Sequence, residues 1–322
     1  GDCENGRTLF ANPAWLRCTT RNRAAAHATR QYIAGLQPGH GVLKLDFNNA
    51  FNTIRRDAVF DAVRQELPEL YAFVYMCYKD TSLLNFGEHL LQSDEGVQQA
   101  DPLGPQRYCA STMKLARSMM SELNLGYLDD GTIGGELHDL LHDLDTVRRV
   151  GPTIGLLLNE VKCEIVTNDD SVVSSFRAVM PNILHTRGND AVLLGAPIGD
   201  QSAIDNVLQS KLTVFQCFAS RLTTLNAQDA LFLLKNCLGL PKLLYTLRCA
   251  SCYNSAVLSQ YDTVVKQTLQ VILNIDLTEP IWSQATLPVA SGGLGVRLAT
   301  DLALPAFLAS VNHSGVNDLN EI

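Results

Sequence analysis

Two β-type segments of this chain each end in acidic residues, and this placement constrains the fold most. The apolar-rich run Val42–Leu45 leads directly into Asp46, and two short β-prone pieces flank Asp129-Asp130-Gly131. An Asp-Gly pair between β-prone pieces is typical of a hairpin turn. Charge beside buried strands is costly unless it is paired or metal-bound, and adjacent carboxylates repel each other. We therefore predict that the strand-end acid and the hairpin acids face a common cation.

The three acids also have a simpler interpretation, because an Asp-Asp-Gly sequence by itself is an ordinary turn. If Asp46 instead lies beside the hairpin, three carboxylates suit two Mg²⁺ ions about 3.5–4 Å apart, with Mn²⁺ as a substitute. One ion would then activate an attacking hydroxyl, and the other would stabilise the leaving group. The sequence leaves both interpretations open at this point.

The periodicity of apolar residues predicts an α+β fold, with a mixed region before residue 200 and helices after it. In the mixed region the helices are predicted over residues 23–36, 57–67, 68–77, 100–119 and 137–150. Asp57 is predicted to cap the second of these helices, and an apolar stripe is predicted on the third at Leu70, Phe73, Val74 and Cys77. Asn226 is predicted to cap a helix after residue 200. Strands are predicted at residues 42–47, in a hairpin turning near Gly87, on both sides of Asp129-Asp130, and as a pair within 155–167. After residue 200, buried helical stripes are predicted at Leu208, Leu212, Phe215, Ala219 and Leu222, and at Val257, Tyr261, Val265, Leu269 and Ile272.

Composition limits the classes of function. With 25 Lys and Arg against 33 Asp and Glu, the net charge is -8, which disfavours a strong electrostatic grip on nucleic acid. The most apolar run, Leu231–Tyr245, contains two lysines and a proline, so we expect no membrane span. Nine scattered cysteines suggest a reduced, intracellular protein. The pair Cys249 and Cys252 has no second pair, and His138 and His142 lack the glutamate of a zinc peptidase helix, so neither favours zinc.

Five motifs, taken in order, resemble the reverse transcriptases of non-long-terminal-repeat (LINE-like) retrotransposons. The resemblance extends from about residue 24 to the end. It implies a polymerase palm over residues 38–199, built from an antiparallel sheet with helices on one face. An all-helical thumb would cover 200–275, a remnant of the fingers 1–37, and a C-terminal extension 276–322. The motifs are LKLDFNNAF at 43–51, EGVQQADPLGP at 95–105, GYLDDGT at 126–132, GLLLNEVKCE at 155–164 and LLGAPIG at 193–199.

The resemblance also implies roles for the acids and for one lysine. Asp46, Asp129 and Asp130 would bind the catalytic metal ions. Lys162 would lie near the leaving pyrophosphate as a general acid. A solvated lysine in a turn is the simpler interpretation of Lys162.

Three further residues would contact the incoming nucleotide. The Phe47 carbonyl would lie beside the metal site, and Phe51 would screen the 2′ position of the sugar and so favour deoxynucleotides. Gln99 would contact the nucleotide and the template. Phe51 as a core aromatic, and Gln99 as a polar loop residue, are the simpler interpretations.

This chain departs from the family pattern in three respects. Ala100 stands where the family has glycine, which allows close backbone approach to a nucleotide. Pro152 falls where relatives continue a helix. The basic strands of the fingers have no clear counterpart before residue 38.

The leading hypothesis is RNA-directed DNA synthesis by two-metal nucleotidyl transfer. The partners would be an RNA or DNA template with its primer and deoxynucleoside triphosphates. A rival hypothesis is an inactive remnant that keeps the palm fold and binds RNA or a protein. Another two-metal enzyme, such as a nuclease, would leave the glutamine-proline-glycine loop and LLGAPIG unexplained.

Overall fold

The computed structural model describes residues 21–99 and 101–314, which form two compact units. The first unit contains residues 35–187, and the second contains residues 22–34 and 188–314. The sequence-based boundaries at 37/38 and 199/200 differ from this division. Ala100, residues 1–20 and residues 315–322, on which parts of those predictions fall, lie outside the described residues.

The elements of the first unit follow the predicted order. Its helices are α2 (Ala50–Thr53), α3 (Arg56–Glu66), α4 (Tyr71–Tyr78), α5 (Gly104–Arg117), α6 (Leu137–Val150) and α7 (Asp170–Val179). Its strands are β1 (His40–Leu45), β2 (Ser82–Phe86), β3 (His89–Ser93), β4 (Leu123–Tyr127), β5 (Asp130–Glu136), β6 (Glu164–Val166) and β7 (Leu184–Thr186).

Five of these strands form one sheet in the order β4-β5-β1-β6-β7. Strand β1 lies in its centre and pairs antiparallel with β5 and with β6. The β6–β7 pairing is parallel, so the prediction of a wholly antiparallel sheet is wrong at this edge. The α7 helix connects β6 to β7, which is the kind of crossover that parallel neighbours require.

The core of this unit is formed by apolar side chains from the sheet and from three helices. Their burial follows the strand period of two and the helical period of 3.6. Members of this cluster include Leu43 and Leu45 of β1, Ile133 of β5, Ile165 of β6, Leu115 of α5, Leu140, Leu144 and Val147 of α6, and Val172 and Phe176 of α7.

Three local predictions for this unit are wrong. Residues 155–167 do not form a strand pair, because only β6 is a strand there and Phe47 and Leu158 make an isolated bridge. Asp57 lies within the first turn of α3 and not at its cap, which is Arg55, and the Asp57 carboxylate pairs with that arginine. Helix α4 buries Val74 and Tyr78 and leaves much of its predicted stripe exposed.

The second unit is helical apart from one small hairpin. Its helices are α1 (Arg21–Ala34), α8 (Gln201–Leu222), α9 (Ala227–Leu233), α10 (Leu244–Cys249), α11 (Ala256–Leu273), α12 (Glu279–Thr286) and α13 (Ala299–Ser314), and its strands are β8 (Val192–Leu193) and β9 (Ala196–Pro197). The predicted stripe on α8 is buried throughout, and on α11 Tyr261, Val265, Leu269 and Ile272 are buried. Asn226 caps α9 by accepting a hydrogen bond from the Asp229 amide, as predicted.

Helix α1 belongs to this unit because its buried face packs there. His27 Nε2 lies 3.1 Å from Ser310 Oγ of α13, and its ring meets Phe307 edge-on at 5.6 Å. Arg30 donates to the carbonyl oxygens of Pro197 and Cys249. These contacts explain why the boundary predicted at residue 37 does not separate α1 from the helical region.

One helical run in the described part of the chain, Ala227–Cys249, is long and apolar enough to cross a membrane by length and composition. The run includes Lys235, Pro241 and Lys242, the residues on which the expectation of no membrane span is based. The run contains a π-turn at Leu234–Leu238 and a 3₁₀ turn at Leu240–Lys242. Its Leu234, Leu243 and Leu247 are buried in the helical core, which is the placement of a core helix.

Candidate active site

The strand register places the three predicted acids at one end of the sheet. Leu45 of β1 is paired with Gly131 of β5, and Tyr127 of β4 is paired with Asp130 of β5. Asp46 therefore follows β1 at the level where β5 begins. Leu128 and Asp129 form the two-residue turn, so the turn comes two residues earlier than the Asp130-Gly131 pair predicted. The structure thus brings Asp46 to the hairpin that carries the other two acids.

The charges of Asp129 and Asp46 both act on the Asp130 carboxyl. The pKa of Asp130 is raised by partial burial of its carboxyl, then by the charge of Asp129 and then by that of Asp46, while Lys44 opposes the shift. Burial raises the pKa of the Tyr108 phenol, and the charges of Asp129 and Asp130 add to that shift. Negative charge from Asp46, Asp129 and Asp130 therefore accumulates at this edge of the sheet, with Lys44 as a nearby positive charge.

This arrangement suits a divalent cation in its chemistry, although the side chains do not enclose one as they stand. Within the described ranges, no group of three or more His, Cys, Asp or Glu side chains is arranged to hold a metal ion. A like charge nearby disfavours ionisation of a carboxyl, and a bound cation offsets that cost. Carboxylate oxygens are the ligands that Mg²⁺ prefers, so the donor set fits the ion and its binding stays a prediction.

The hairpin tip holds a strained backbone. Leu128 has a φ of +57°, a left-handed conformation that is uncommon for any residue other than glycine. Strain of this kind persists only where the surrounding structure enforces it. Leu128 lines an apolar cavity with Tyr108, Thr112 and Met119, and Asp129 and Asp130 lie at the same cavity. The residues around this cavity therefore constrain the backbone of the turn that leads into Asp129 and Asp130.

The backbone after β1 is held by the segment that carries Lys162. The Asn159 amide donates to the Asp46 carbonyl at 2.8 Å, and the Asn48 amide donates to the Leu157 carbonyl at 2.8 Å. The Asn159 carbonyl in turn accepts from the Lys162 amide at 3.0 Å. Lys162 is exposed, so the predicted general acid stands in a turn that is anchored directly to Asp46.

The predicted sugar-screening residue lies against an aromatic partner. The ring of half-buried Phe51 stacks on that of Tyr108, with centroids 4.6 Å apart and planes 11° apart. Since Tyr108 lines the same cavity as Asp129 and Asp130 and their charges raise its pKa, Phe51 lies on the side of the unit that carries the acids. The ring takes part in the local apolar core, and both predicted roles for it remain compatible with this position.

Gln99 and Phe47 occupy different settings. Gln99 is exposed in the loop that precedes α5, whereas Phe47 is half-buried and bridges to Leu158. The adjoining residues tie this loop to Phe51, because the Val97 amide donates to the Phe51 carbonyl at 2.8 Å. The predicted nucleotide contacts therefore lie on segments joined by backbone hydrogen bonds.

Sequence reasoning missed two charged residues beside the acids. Lys44 of β1 pairs with Glu164 of β6 at 2.5 Å, and the two are register partners across the sheet. Lys44 precedes Asp46 by two residues, so both side chains lie on one face of the strand. The strand period of two could have revealed this lysine, whereas its partner depends on long-range pairing.

Comparisons with known proteins find similar solved structures but no matching family or curated protein. No protein-family model matches this chain, and no curated protein matches it. Telomerase from Candida albicans in complex with a TWJ fragment of telomeric RNA is similar over 96% of this chain and 52% of its own, with 12% identity and a TM-score of 0.47.

Two structures of telomerase from Candida tropicalis are also similar. The complex with the TWJ fragment matches at 13% identity and a TM-score of 0.44, covering 98% of this chain and 53% of the other. The apo form matches at 14% and 0.44, covering 96% and 56%. This chain spans about half the length of these structures. At such identities and TM-scores, its function has to be argued from its own residues.

Proposed function

We propose that this chain is a template-directed nucleotidyltransferase of the reverse-transcriptase type. The observation that carries the proposal is the register of β1, β4 and β5, which brings Asp46 to the turn holding Asp129 and Asp130. A chance Asp-Asp-Gly turn has no reason to lie beside a strand-end acid, and the charges of all three residues interact.

The proposed metal site is formed by Asp46, Asp129 and Asp130. When bound, two divalent ions would supply Lewis-acid activation of a primer 3′-hydroxyl and neutralise charge on the transferred phosphate. The negative charge that Asp129 and Asp46 add around Asp130 favours such ions. Mg²⁺ is the proposed natural ion and Mn²⁺ a substitute, because both accept carboxylate and phosphate oxygens.

The remaining residues would position the substrates and move a proton. Phe51, braced by Tyr108, would face the sugar and disfavour a 2′-hydroxyl by steric exclusion. Exposed Gln99 would contact the incoming base pair through its amide. Lys162, which can donate a proton, would protonate the leaving pyrophosphate. Base pairing with the template would choose each deoxynucleotide, and positioning would supply much of the rate enhancement.

Primer extension tests this proposal. A DNA primer annealed to an RNA template is incubated with the full chain, deoxynucleoside triphosphates and Mg²⁺. We expect extension that requires the template, and a loss of at least about 100-fold in Asp129→Asn, as when a charge-stabilising group is removed from an active site. Asp80→Asn is the control, because that side chain is 84% exposed and outside the site. Equal rates in both variants would refute the proposed site.

An inactive remnant that binds RNA or a protein is the second candidate. The net charge of -8, and the absence of an arranged metal-ligand group in the described residues, favour it. A folded wild-type chain that fails to extend the primer with either Mg²⁺ or Mn²⁺, while it still binds the template, would select this candidate.

A further inference from the structure

Tyr78, on helix α4, is buried and joins two parts of the loop that carries Gln99. The residue is 5% exposed. Its hydroxyl donates to Asp101 Oδ2 at 3.0 Å and accepts from the Gln98 amide at 3.1 Å. The Tyr78 hydroxyl oxygen therefore bonds to the backbone of Gln98, just before Gln99, and to the side chain of Asp101, just after it.

Asp101 extends this contact into the start of α5. Its Oδ1 accepts from the Leu103 amide at 2.9 Å, and its Oδ2 accepts from Arg107 Nη1 at 2.5 Å. The Arg107 side chain is 3% exposed and that of Asp101 is 20% exposed, so the arginine end of the ion pair is shielded from water, and the charge-assisted bond favours a defined geometry. The carboxylate thus connects the loop to two helices, α4 and α5.

The ring of Tyr78 is itself held by two arginines. The guanidinium carbon of Arg107 lies 4.7 Å from the ring centroid, and that of Arg56 lies 5.1 Å away. Arg56 also donates to the Gly96 carbonyl at 3.3 Å and to Ser93 Oγ at 3.2 Å. Cation–π contacts of this kind favour a defined position of the ring. Arg56 also connects the ring to the start of the loop through its hydrogen bonds to Gly96 and Ser93.

The opposite side of the loop is fixed to the segment that carries Phe51. The Gly96 amide donates to the Ile54 carbonyl at 2.9 Å. Gly96 has a φ of +69°, and a Cβ there would lie 2.5 Å from the Asn52 carbonyl oxygen. Backbone therefore packs directly on backbone on this side, and Tyr78 supplies the anchor on the other.

We propose that Tyr78 is a positioning residue for nucleotide binding, acting through Asp101 and the Gln98 amide on the loop that presents Gln99. This inference rests on the proposed function, because it assigns a nucleotide as the ligand of that loop. Removal of the hydroxyl leaves the ring and its arginine contacts in place. The loop should then lose its anchor on the α4 side, while the core beneath it remains packed.

Tyr78→Phe tests this inference, with Tyr71→Phe as a matched control. Tyr71 lies on the same helix and has its own arginine, with Arg64 4.6 Å from its ring and bonded to its hydroxyl. Hydrogen exchange of the Gln98 and Leu103 amides should be at least tenfold faster in Tyr78→Phe and unchanged in Tyr71→Phe. Equal exchange in the two variants would overturn the proposal.

Nucleotide affinity provides the second readout and does not require turnover. A fluorescent dATP analogue is titrated into protein that holds an RNA template and a primer ending in a dideoxynucleotide. We expect Tyr78→Phe to weaken its binding about fivefold or more, with the Kd of template and primer unchanged. Unaltered nucleotide affinity would refute the positioning role, even if exchange became faster.

The same reagents separate this inference from the proposed function. Nucleotide binding that depends on Tyr78 in a protein that extends no primer would refute the polymerase and support the positioning role. Template-dependent extension in which Tyr78→Phe matches the wild type in nucleotide KM would do the reverse. A wild-type chain that neither binds the nucleotide nor extends the primer would refute both.

Discussion

The acidic edge of the sheet and the core of the helical unit differ in how they treat charge and strain. At the edge, Asp46 lies at the level of the hairpin that carries Asp129 and Asp130, the pKa of Asp130 is raised, and Leu128 of the turn has positive φ. In the helical unit, Phe215 and Tyr261 stack at 4.6 Å within a continuous apolar cluster. Backbone strain and a perturbed carboxyl at the first region are typical of functional sites. The second region is typical of a core selected for stability.

Removal of a core ring should show the largest effect on stability. Phe215 is 1% exposed, so Phe215→Ala leaves a cavity and should lower the free energy of unfolding by about 3–5 kcal/mol. Phe232→Ala is the control, because that side chain is 62% exposed in the same unit. Urea denaturation followed by far-UV circular dichroism measures both. A similar loss in the two variants would show that the helical unit lacks the packed core described.

The buried histidine of the helical unit should make stability depend on pH. Burial lowers the pKa of His27 from 6.5 to about 4, and the charges of Arg30 and Arg23 add to the shift while the Arg248 backbone opposes it. Arginine has only donors, so Arg30 Nη1, 3.2 Å away, donates to His27 Nδ1. The proton then resides on Nε2, which donates to Ser310.

The sign of this effect follows from the lowered pKa. The unfolded chain binds a proton near pH 6.5 and the folded chain only near 4, so the contribution is complete above 6.5 and is lost as pH falls towards 4. At about 1.4 kcal/mol per pKa unit, the loss approaches roughly 3 kcal/mol. Urea titrations at pH 7 and 4.5 should show a smaller pH dependence in His27→Gln. An identical dependence would exclude His27 as the cause.

Removal of the Asp130 charge at the sheet edge should give the smallest change in stability, and it should stabilise the folded chain. The raised pKa of Asp130 means that its ionised form is disfavoured in the folded chain. Asp130→Asn should therefore raise stability at pH 7 in the absence of divalent ions, by less than about 1 kcal/mol because the residue is only partly withdrawn from solvent and water screens its charge. Thermal denaturation with a chelator measures the change. A lower Tm would indicate that the carboxylate stabilises the edge.

Much of the fold was predictable from local patterns. Helix α6 has the predicted bounds, and the α8 stripe from Leu208 to Leu222 is buried as its spacing indicates. The hairpin β2–β3 turns at Gly87, whose φ is +61°. These elements depend on periodicity and turn chemistry, which neighbouring residues determine.

Long-range contacts account for the errors. The placement of α1 depends on Ser310, which is 283 residues from His27. The Asn159 carbonyl accepts hydrogen bonds from the Lys162 and Cys163 amides in a turn, while the Asn159 amide and the Leu157 carbonyl pair with the segment after β1, so residues 155–167 do not pair with each other. For the site, strand ends predicted the three acids, whereas Lys44–Glu164 and Tyr78–Asp101 depend on pairings between distant segments.

Binding of Mn²⁺ tests the central claim most directly, because Asp46 comes from a strand 83 positions before the hairpin acid Asp129. Electron paramagnetic resonance measures free Mn²⁺ during titration of the wild type, Asp46→Asn and the control Asp80→Asn. We predict that Asp46→Asn weakens binding about tenfold or more, because even the loss of a group that only supports a metal ligand costs about 10–100-fold in affinity, and that Asp80→Asn binds like the wild type. Equal affinity in all three proteins would contradict the account, because the hairpin acids would then bind the ion without Asp46.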